Sequence, residues 1–436
     1  LIIVIGMSGC HEIYDPDFIS NAPYGNNPGN RVMVPNDRRV LLMYLAGYNS
    51  LSDCLRDDLN DVMNGWLPGT DKKDNVLLVY THQPKRDGMY SVKTNPYLLR
   101  ISAGPDGTTR VDTLVTYPET SISASTEQVN TVLTYVKNKF PAKSYGMTFS
   151  SHSTGYLPVG FYGKPDSYTY PQKRNNAKET GQAQPKSVPF YEPYHDPSLP
   201  RVRSLGQDQQ GGAGSYISYE MDIRDFADAI PMKLEYLIFD ACLMGGIEVA
   251  YELREKCGKI GFSQAEVLAE GLDYTKIMPH LLGSKEASLE SICYDYFTHY
   301  DSQQDVFSRS ATISLVDCSR LDTLAETCRR IFMNHRNELS LIAPHKVQRF
   351  YRSGHHWFYD LESIISNAGA TSDEMKALHD ALDACVLYKA HTPQFMCEFD
   401  IKTFSGFSMY LPCNGTPELD KYYRTLEWNQ ATGLVI

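Results

Sequence analysis

Apolar residues form continuous runs that alternate with segments of helical spacing. Residues 39–46 (RVLLMYLA) and 75–81 (NVLLVYT) are almost wholly apolar. Runs without apolar–polar alternation are typical of strands buried on both faces of a sheet. Between them, residues 52–63 carry leucine and valine at helical spacing. The pattern therefore predicts strands and helices in alternation.

The alternation continues along the rest of the chain. Further strands are predicted at residues 97–102, 111–115, 145–151, 234–239, 259–263, 311–316 and 404–412, and helices at 126–140, 219–230 and 244–255. Strands that alternate with helices predict an α/β fold, with a mainly parallel sheet flanked by helices on both faces. From about Cys318 onward the chain is helix-rich, as a C-terminal extension or a second domain.

Composition shifts divide the chain into three parts. Residues 1–37 combine an apolar start with a polar tether, residues 38–317 hold the predicted sheet, and residues 318–436 form the C-terminal part. Within the second part, residues 163–214 lose all periodicity and are rich in Pro, Gln, Asn, Lys and Gly. A loop insertion of this length within a domain is usually functional or disordered.

The first ten residues, LIIVIGMSGC, end an apolar run in small residues and Cys10. This resembles the end of a bacterial lipoprotein signal, in which the cysteine is lipidated; a truncated secretory signal or a stray apolar segment is the alternative. No later segment has the ~18 consecutive apolar residues of a membrane helix. We expect a protein of the bacterial cell envelope, periplasmic or on the surface, or a secreted one, with membrane contact only through a lipid anchor.

Composition excludes some classes of partner and cofactor. A net charge of −11 argues against a nucleic-acid binder, which would show a basic stripe, and fits cationic partners. The ten cysteines include no CxxC pair and no Cys/His cluster with zinc-ligand spacing. We expect no metal and no cofactor.

Two reactive residues each follow a predicted buried strand. His152 comes directly after the strand at 145–151, and Cys242 comes shortly after the strand at 234–239. Functional groups collect outside the carboxyl ends of parallel strands, so neighbouring strands would bring these side chains together. An imidazole can generate a thiolate nucleophile and later protonate a leaving amine. The predicted helix after Cys242 would help lower the pKa of the thiol.

Each residue alone has a plainer interpretation. A strand-end cysteine is more often a packed core residue, and the tripeptide Asp-Ala-Cys recurs at 383–385 inside an apparent helix. The context favours chemistry, because small residues after His152 let backbone N–H groups face a substrate carbonyl. A metalloenzyme using His355 and His356 has little support, since adjacent histidines point in different directions.

These motifs together resemble the clostripain family of cysteine peptidases, in the same clan as caspases. The family has a strand ending in His with a small loop, and a later strand ending in Asp-Ala-Cys. Residues 44–51 and 58–60 resemble its "DNNL…DLNE" opening, and residues 406–412 resemble its "G-x-S-x-Y-x-P" segment. The resemblance spans about residues 38–412 and implies a caspase-like sheet.

The resemblance also implies roles for particular residues. Cys242 would be the nucleophile and His152 the general base and acid, with the backbone N–H groups of Ser153 and Cys242 stabilising the oxyanion. Family members often have Gly where Ser153 stands, and a positive φ there would be strained. Asp240 matches the acidic S1 residue that pairs with a substrate Arg or Lys; a helix-capping role is the alternative.

Further expectations follow from the same resemblance. The residues that could also face the pocket are Glu266, Glu270 and Asp273. Clan members are commonly activated by cleavage, which predicts self-cleavage in the 163–214 loop at Arg201, Arg203 or Arg174, unless this is simply a surface insertion.

Calcium dependence occurs in the family, but no EF-hand loop is present. The expected partners are proteins or peptides with a basic P1 residue. The alternative function is a noncatalytic surface lipoprotein that binds glycans or host proteins.

Overall fold

The computed structural model describes residues 38–71, 73–87, 90–92, 94–163, 165–170, 189–191, 205–210, 217–352 and 356–436. Several predicted residues lie outside these ranges: the lipidation site Cys10, the cleavage residues Arg174, Arg201 and Arg203, and His355.

A nine-stranded sheet forms the centre of the molecule. Its strands are β1 (Arg39–Ala46), β2 (Val76–His82), β3 (Tyr97–Ala103), β4 (Thr109–Thr116), β5 (Ser144–Ser150), β6 (Leu234–Asp240), β7 (Cys257–Phe262), β8 (Thr312–Asp317) and β9 (Val386–His391). They lie in the order β9-β8-β7-β6-β5-β1-β2-β3-β4. The five central strands, from β7 to β2, run parallel, and the two outer strands on each side are antiparallel. The prediction of a mainly parallel sheet is confirmed.

Helices cover both faces of this sheet. They are α1 (Ser52–Asn64), α2 (Thr126–Lys139), α3 (Ile223–Ala229), α4 (Ile247–Leu253), α5 (Tyr274–Leu282), α6 (Leu289–Asp301), α7 (Leu321–Asn334), α8 (Arg336–Leu341), α9 (Leu361–Asn367), α10 (Ser372–Cys385), α11 (Pro417–Tyr423) and α12 (Glu427–Thr432). Helices α1, α5 and α6 pack on one face, and the others contribute to the core on the opposite face. Alternate residues of β1 enter the two cores, which explains why the whole strand is apolar.

Smaller sheets lie around this centre. The strands Pro189–Tyr191, Ile217–Met221 and Leu205–Gln210 form an antiparallel sheet with Ile217–Met221 in the middle. Two-stranded pairs are formed by Lys85–Asp87 with Tyr90–Val92, Tyr359–Asp360 with Ser408–Met409, and Gln394–Phe395 with Phe399–Asp400. Short 3-10 turns cover Pro165–Ser167, Cys318–Arg320, Pro344–Lys346 and Pro412–Asn414.

Three predicted elements differ from the structure. In the helix predicted at residues 219–230, the first residues belong instead to the strand Ile217–Met221. Helix α3 starts after Asp222, whose side chain accepts a hydrogen bond from the Arg224 N–H at 3.0 Å. The helix predicted from 244 starts only at Ile247, because Gly246 is its N-cap. The strand predicted at 404–412 is reduced to Ser408–Met409.

The C-terminal part is built onto the sheet. Strand β9 pairs antiparallel with β8, and helices α7 to α12 share the core cluster that lies under α2 and α3. The boundary near residue 318 stays a prediction, although this shared core favours an added layer over a separate unit. Among the described helices, none is both long and apolar enough to span a membrane.

Candidate active site

His152 and Cys242 come to the same edge of the sheet. Strands β5 and β6 are parallel neighbours, and their last residues, Ser150 and Asp240, lie opposite each other in register. His152 and Cys242 each lie two residues beyond these paired positions. The sequence predicted both strand ends, and the structure shows that the strands are adjacent.

The two loops that carry these residues are in direct contact. The hydroxyl of Ser153 donates a hydrogen bond to the carbonyl oxygen of Cys242. Gly155 has a φ of +58°, and a Cβ at this position would lie 2.4 Å from the carbonyl oxygen of Leu243. Only glycine fits there, because any side chain would collide with this backbone oxygen.

The backbone directly after Cys242 is strained. Leu243 has a φ of +62°, in the left-handed region that costs a residue with a side chain roughly 1–2 kcal/mol. Its N–H donates to the Ala265 carbonyl at 2.8 Å, and the Gly245 N–H donates to the Ser263 carbonyl at 2.7 Å. The positive φ that would have been strained at Ser153 is therefore found at Leu243 instead. The two hydrogen bonds to the loop after β7 hold this turn in place.

The Cys242 thiol lies beneath that same loop. Its Sγ accepts a hydrogen bond from the Val267 N–H at 3.3 Å. Burial, followed by the nearby carboxylate of Glu266, raises the pKa of Cys242 to about 12. The expected help from a helix N-terminus is wrong, because α4 begins only at Ile247. The thiol is therefore protonated at neutral pH in this state.

Glu266 and Arg352 form an ion pair beside the thiol. The Nε of Arg352 lies 2.9 Å from Oε1 of Glu266, whose side chain is 2% exposed. Burial raises the pKa of Glu266 to about 7, and the Arg352 guanidinium opposes that shift. Glu266 was among the predicted pocket residues. Its partner Arg352 was missed, because 86 residues separate the two and no local motif marks the pair.

Asp240 lies buried at the end of β6 and does not cap a helix, since the N-cap of α4 is Gly246. Its Oδ2 accepts hydrogen bonds from the Tyr274 hydroxyl at 3.2 Å and the Leu272 N–H at 3.4 Å. Burial raises the pKa of Asp240, and these hydrogen bonds oppose the shift. The capping alternative is thereby excluded.

A second carboxylate, Asp58 of α1, lies close to Asp240. Asp58 is 7% exposed, and burial together with the negative charge of Asp240 raises its pKa. Tyr300 is also near both groups, and its hydroxyl donates to the Gly271 carbonyl at 2.8 Å. Sequence reasoning placed Asp58 only within the family-like opening segment and gave it no role in the pocket.

The other two predicted pocket residues have different surroundings. Glu270 is exposed in the turn before α5. Asp273 caps α5, accepting a hydrogen bond from the Lys276 N–H at 3.3 Å and pairing with the Lys276 ammonium at 2.8 Å. Of the three residues, Glu266 therefore lies closest to the chemistry of Cys242.

His152 has a hydroxyl partner that sequence reasoning missed. The Oγ of Ser50 lies 2.9 Å from Nε2 of the imidazole, and His152 is itself 8% exposed. Ser50 stands in the turn between β1 and α1, far from His152 in the chain. Its position within the family-like segment at 44–51 was the available signal.

Within the described part of the chain, the remaining cysteines and histidines do not form a second site. The nine described cysteines are all free thiols. Cys385, in the repeated Asp-Ala-Cys, is buried at the end of α10, where its Sγ lies 3.6 Å from the Asp317 carbonyl oxygen. Across the described part of the chain, no group of three His, Cys, Asp or Glu residues is placed to hold a metal ion.

Comparisons with known proteins agree with this geometry. The sequence profile of the clostripain family matches residues 191–433, more than half of the chain. No curated protein sequence matches. An inactive zymogen C11 protease from Parabacteroides distasonis is 26% identical with a TM-score of 0.68, and the match covers 90% of this chain and 97% of that one.

A secreted C11 cysteine protease from Bacteroides thetaiotaomicron, iotapain, has the same fold, with 24% identity, a TM-score of 0.69, and coverage of 91% of this chain and 99% of that one. These structures share the caspase-like arrangement of a central sheet flanked by helices. Fold and profile match together show that the chain belongs to the clostripain family of cysteine peptidases.

Proposed function

We propose that this peptidase is an endopeptidase that cuts after Arg or Lys, with Cys242 as nucleophile and His152 as general base and acid. The observation that carries the proposal is the contact between the two loops beyond Ser150 and Asp240, in which the Ser153 hydroxyl binds the Cys242 carbonyl. Membership of a peptidase family removes the support for a noncatalytic binding protein.

In the proposed mechanism, His152 accepts the thiol proton as Sγ of Cys242 attacks the scissile carbonyl carbon. The backbone N–H groups of Ser153 and Cys242 stabilise the oxyanion. His152 then gives the proton to the leaving amine, and a thioester remains. Water, deprotonated by His152, hydrolyses the thioester and releases Cys242. Burial raises the pKa of Cys242, so the thiol enters the reaction with a proton that His152 has to accept.

Asp240 provides the charge that selects a basic P1 residue. A guanidinium or ammonium that reached its carboxylate would favour the ionised form and form a charge-assisted hydrogen bond. Since burial raises the pKa of Asp240, binding of a basic side chain should strengthen as rising pH ionises this group.

We further propose activation by self-cleavage in the 163–214 loop, at Arg201, Arg203 or Arg174. The strand Leu205–Gln210, which follows two of these residues, is bound to the catalytic loop: the Gly206 N–H donates to the His152 carbonyl at 3.0 Å, and the Gln207 N–H donates to the Ser151 hydroxyl at 3.2 Å. A cut before Leu205 would leave this strand attached to the loop of His152.

We place the protein at the bacterial cell envelope or outside the cell. The support is the resemblance of residues 1–10 to a lipoprotein signal with Cys10 as the lipidated residue, together with the secreted relative from Bacteroides thetaiotaomicron. Metabolic labelling with a fatty-acid probe would test the anchor, because Cys10→Ser should abolish the label.

Fluorogenic peptides that differ only at P1 (Arg, Lys, Ala, Asp) test the main proposal. We expect turnover of the Arg or Lys peptides by wild type, before or after nicking of the loop with trypsin, and none by Cys242→Ala. Trypsin is inhibited before the assay, and the nicked Cys242→Ala protein controls for residual trypsin. Turnover that survives in Cys242→Ala would contradict the assignment of the nucleophile.

Asp240→Asn tests the pocket separately. We expect kcat/KM for basic peptides to fall about 30-fold or more, since loss of one partner from a buried charge pair costs roughly 2–5 kcal/mol. Alkylation of Cys242 by uncharged iodoacetamide should be far less affected. An equal loss for the Ala peptide would show that Asp240 supports the fold rather than specificity.

A further inference from the structure

The imidazole of His152 is held on the side of Nε2 by a hydroxyl group. Ser50 Oγ lies 2.9 Å from Nε2, within hydrogen-bond distance. Because Ser50 is exposed at the edge of the sheet where Cys242 also lies, it stands at the site rather than in the core.

The turn that carries Ser50 is rigidly fixed. The side-chain amide of the preceding residue, Asn49, donates to the Ala46 carbonyl at 2.9 Å and to the Gln207 carbonyl at 2.8 Å. Its Oδ1 accepts from the Leu51 N–H at 2.8 Å. Asn49 is 6% exposed, so water competes little for these bonds. The amide thus connects the end of β1 to the strand Leu205–Gln210.

The loop of His152 is fixed to the same point. The Ser151 hydroxyl donates to the Ala46 carbonyl at 2.8 Å and accepts from the Gln207 N–H at 3.2 Å. The turn that carries Ser50 and the loop that carries His152 are therefore both hydrogen-bonded to Ala46 and Gln207. These shared partners fix the position of the Ser50 hydroxyl relative to the imidazole.

We propose that Ser50 is a positioning residue of the peptidase, which holds the imidazole of His152 through Nε2 and leaves Nδ1 as the nitrogen that exchanges the proton. The inference rests on the proposed function of His152. It adds a third side chain to the His152–Cys242 pair.

The proposed role uses the tautomer of the imidazole in which Nε2 carries the proton. When Nε2–H donates to Ser50 Oγ, the neutral imidazole keeps its lone pair on Nδ1, which can accept the thiol proton. After that transfer, the imidazolium still donates from Nε2 to the same oxygen. Hydrogen bonds to charged groups are stronger than those to neutral ones, so Ser50 stabilises the protonated state that forms during catalysis.

The matched variants Ser50→Thr and Ser50→Val test this role. Their side chains have almost the same shape, and only threonine keeps the hydroxyl. We expect Ser50→Val to lower kcat about tenfold while KM changes less than twofold, as expected for the loss of one hydrogen bond to a charged group. Ser50→Thr should retain most of the wild-type kcat. Equal kcat values for the two variants would overturn the proposal.

The pH profile gives a readout that a purely structural role would not move. Without the hydroxyl the imidazolium is less stable, so the acid limb of kcat, measured with the basic substrate already bound at Asp240, moves to lower pH in Ser50→Val. In Ser50→Thr the limb should stay near its wild-type position. An unshifted limb in Ser50→Val would contradict the role of Ser50.

Alkylation of Cys242 by iodoacetamide keeps this test separate from the proposed specificity. Thiol reactivity depends on His152 but needs no basic peptide. If Arg and Lys peptides are not cleaved, a slower alkylation of Ser50→Val than of Ser50→Thr would still support Ser50 while the specificity fails. Equal alkylation rates would reject the positioning role, whatever the peptide result.

Discussion

At the scale of single residues, two opposite charges beside the thiol tune the reactivity of Cys242. Glu266 raises the pKa of this thiol, and Arg352 lowers it. We expect Glu266→Gln to shift the pH midpoint of alkylation by iodoacetamide downward, because the neutral amide no longer opposes a thiolate. Arg352→Gln should shift the midpoint upward, because Glu266 loses its cation.

The opposite signs make this pair of variants its own control. Both replace a charged side chain with the same neutral amide at one ion pair, so a general loosening of the loop would move both midpoints in the same direction. Shifts of equal sign would therefore contradict the electrostatic explanation. The measurement is the rate of Cys242 alkylation at fixed pH values from 8 to 10, read by mass spectrometry. These values lie below the midpoint, so a lower pKa of the thiol raises the rate and a higher pKa lowers it.

The residues that sequence could and could not locate differ in the range of their contacts. His152 and Cys242 were predictable because each follows a buried apolar strand, a signal contained in a few neighbouring residues. Ser50 and Arg352 reach the site across 102 and 86 residues of chain. Without an alignment, no local pattern reveals such pairs, so they depend on the fold being known.

At the scale of elements, the site depends on how closely the loops after β5 and β6 pack. Gly155→Ala should lower kcat/KM at least tenfold, because its Cβ would lie 2.4 Å from the Leu243 carbonyl oxygen and push the two loops apart. The assay is turnover of a basic peptide, with thermal unfolding measured in parallel.

Gly433→Ala is the matched control for this substitution. Gly433 has a φ of +64°, close to that of Gly155, but an added Cβ would meet no atom within 4 Å. It should therefore show the destabilisation of a strained backbone without loss of activity. If both variants lose the same stability and neither loses activity, the close contact of the loops is not needed for catalysis.

The elements themselves were predicted well where one periodicity ran without interruption. Strands β1, β2 and β6 are buried on both faces, and their apolar runs needed no further information. The helix predicted at 219–230 was wrong at its start because residues up to Met221 pair with the strand Leu205–Gln210, a partner that local propensity does not see. Asp222 then caps a shorter helix.

At the scale of the whole molecule, the C-terminal layer is bound to the loop of the nucleophile. The Ser408 N–H donates to the Gly245 carbonyl at 2.8 Å. Buried Glu248 of α4 accepts from the Tyr410 N–H at 2.8 Å and from the Tyr423 hydroxyl at 2.7 Å. This explains why the family-like segment at 406–412 lies near the site, although its sequence carries no catalytic group.

Glu248 should also make the stability of the folded chain depend on pH. Burial raises its pKa to about 7, so between about pH 4.5 and 7 the folded chain holds a proton that the unfolded chain releases. The contribution of Glu248 to stability is complete below this window and is lost as pH rises through it.

Glu248→Gln keeps an acceptor for Tyr410 and Tyr423 but cannot ionise. Relative to wild type, its free energy of unfolding should therefore improve on the order of 3 kcal/mol from pH 4.5 to 8, measured by urea denaturation. The exposed Glu255→Gln is the control. If the free energies of unfolding of Glu248→Gln and wild type change equally across this pH range, Glu248 does not hold the proton in the folded chain, and the prediction is wrong.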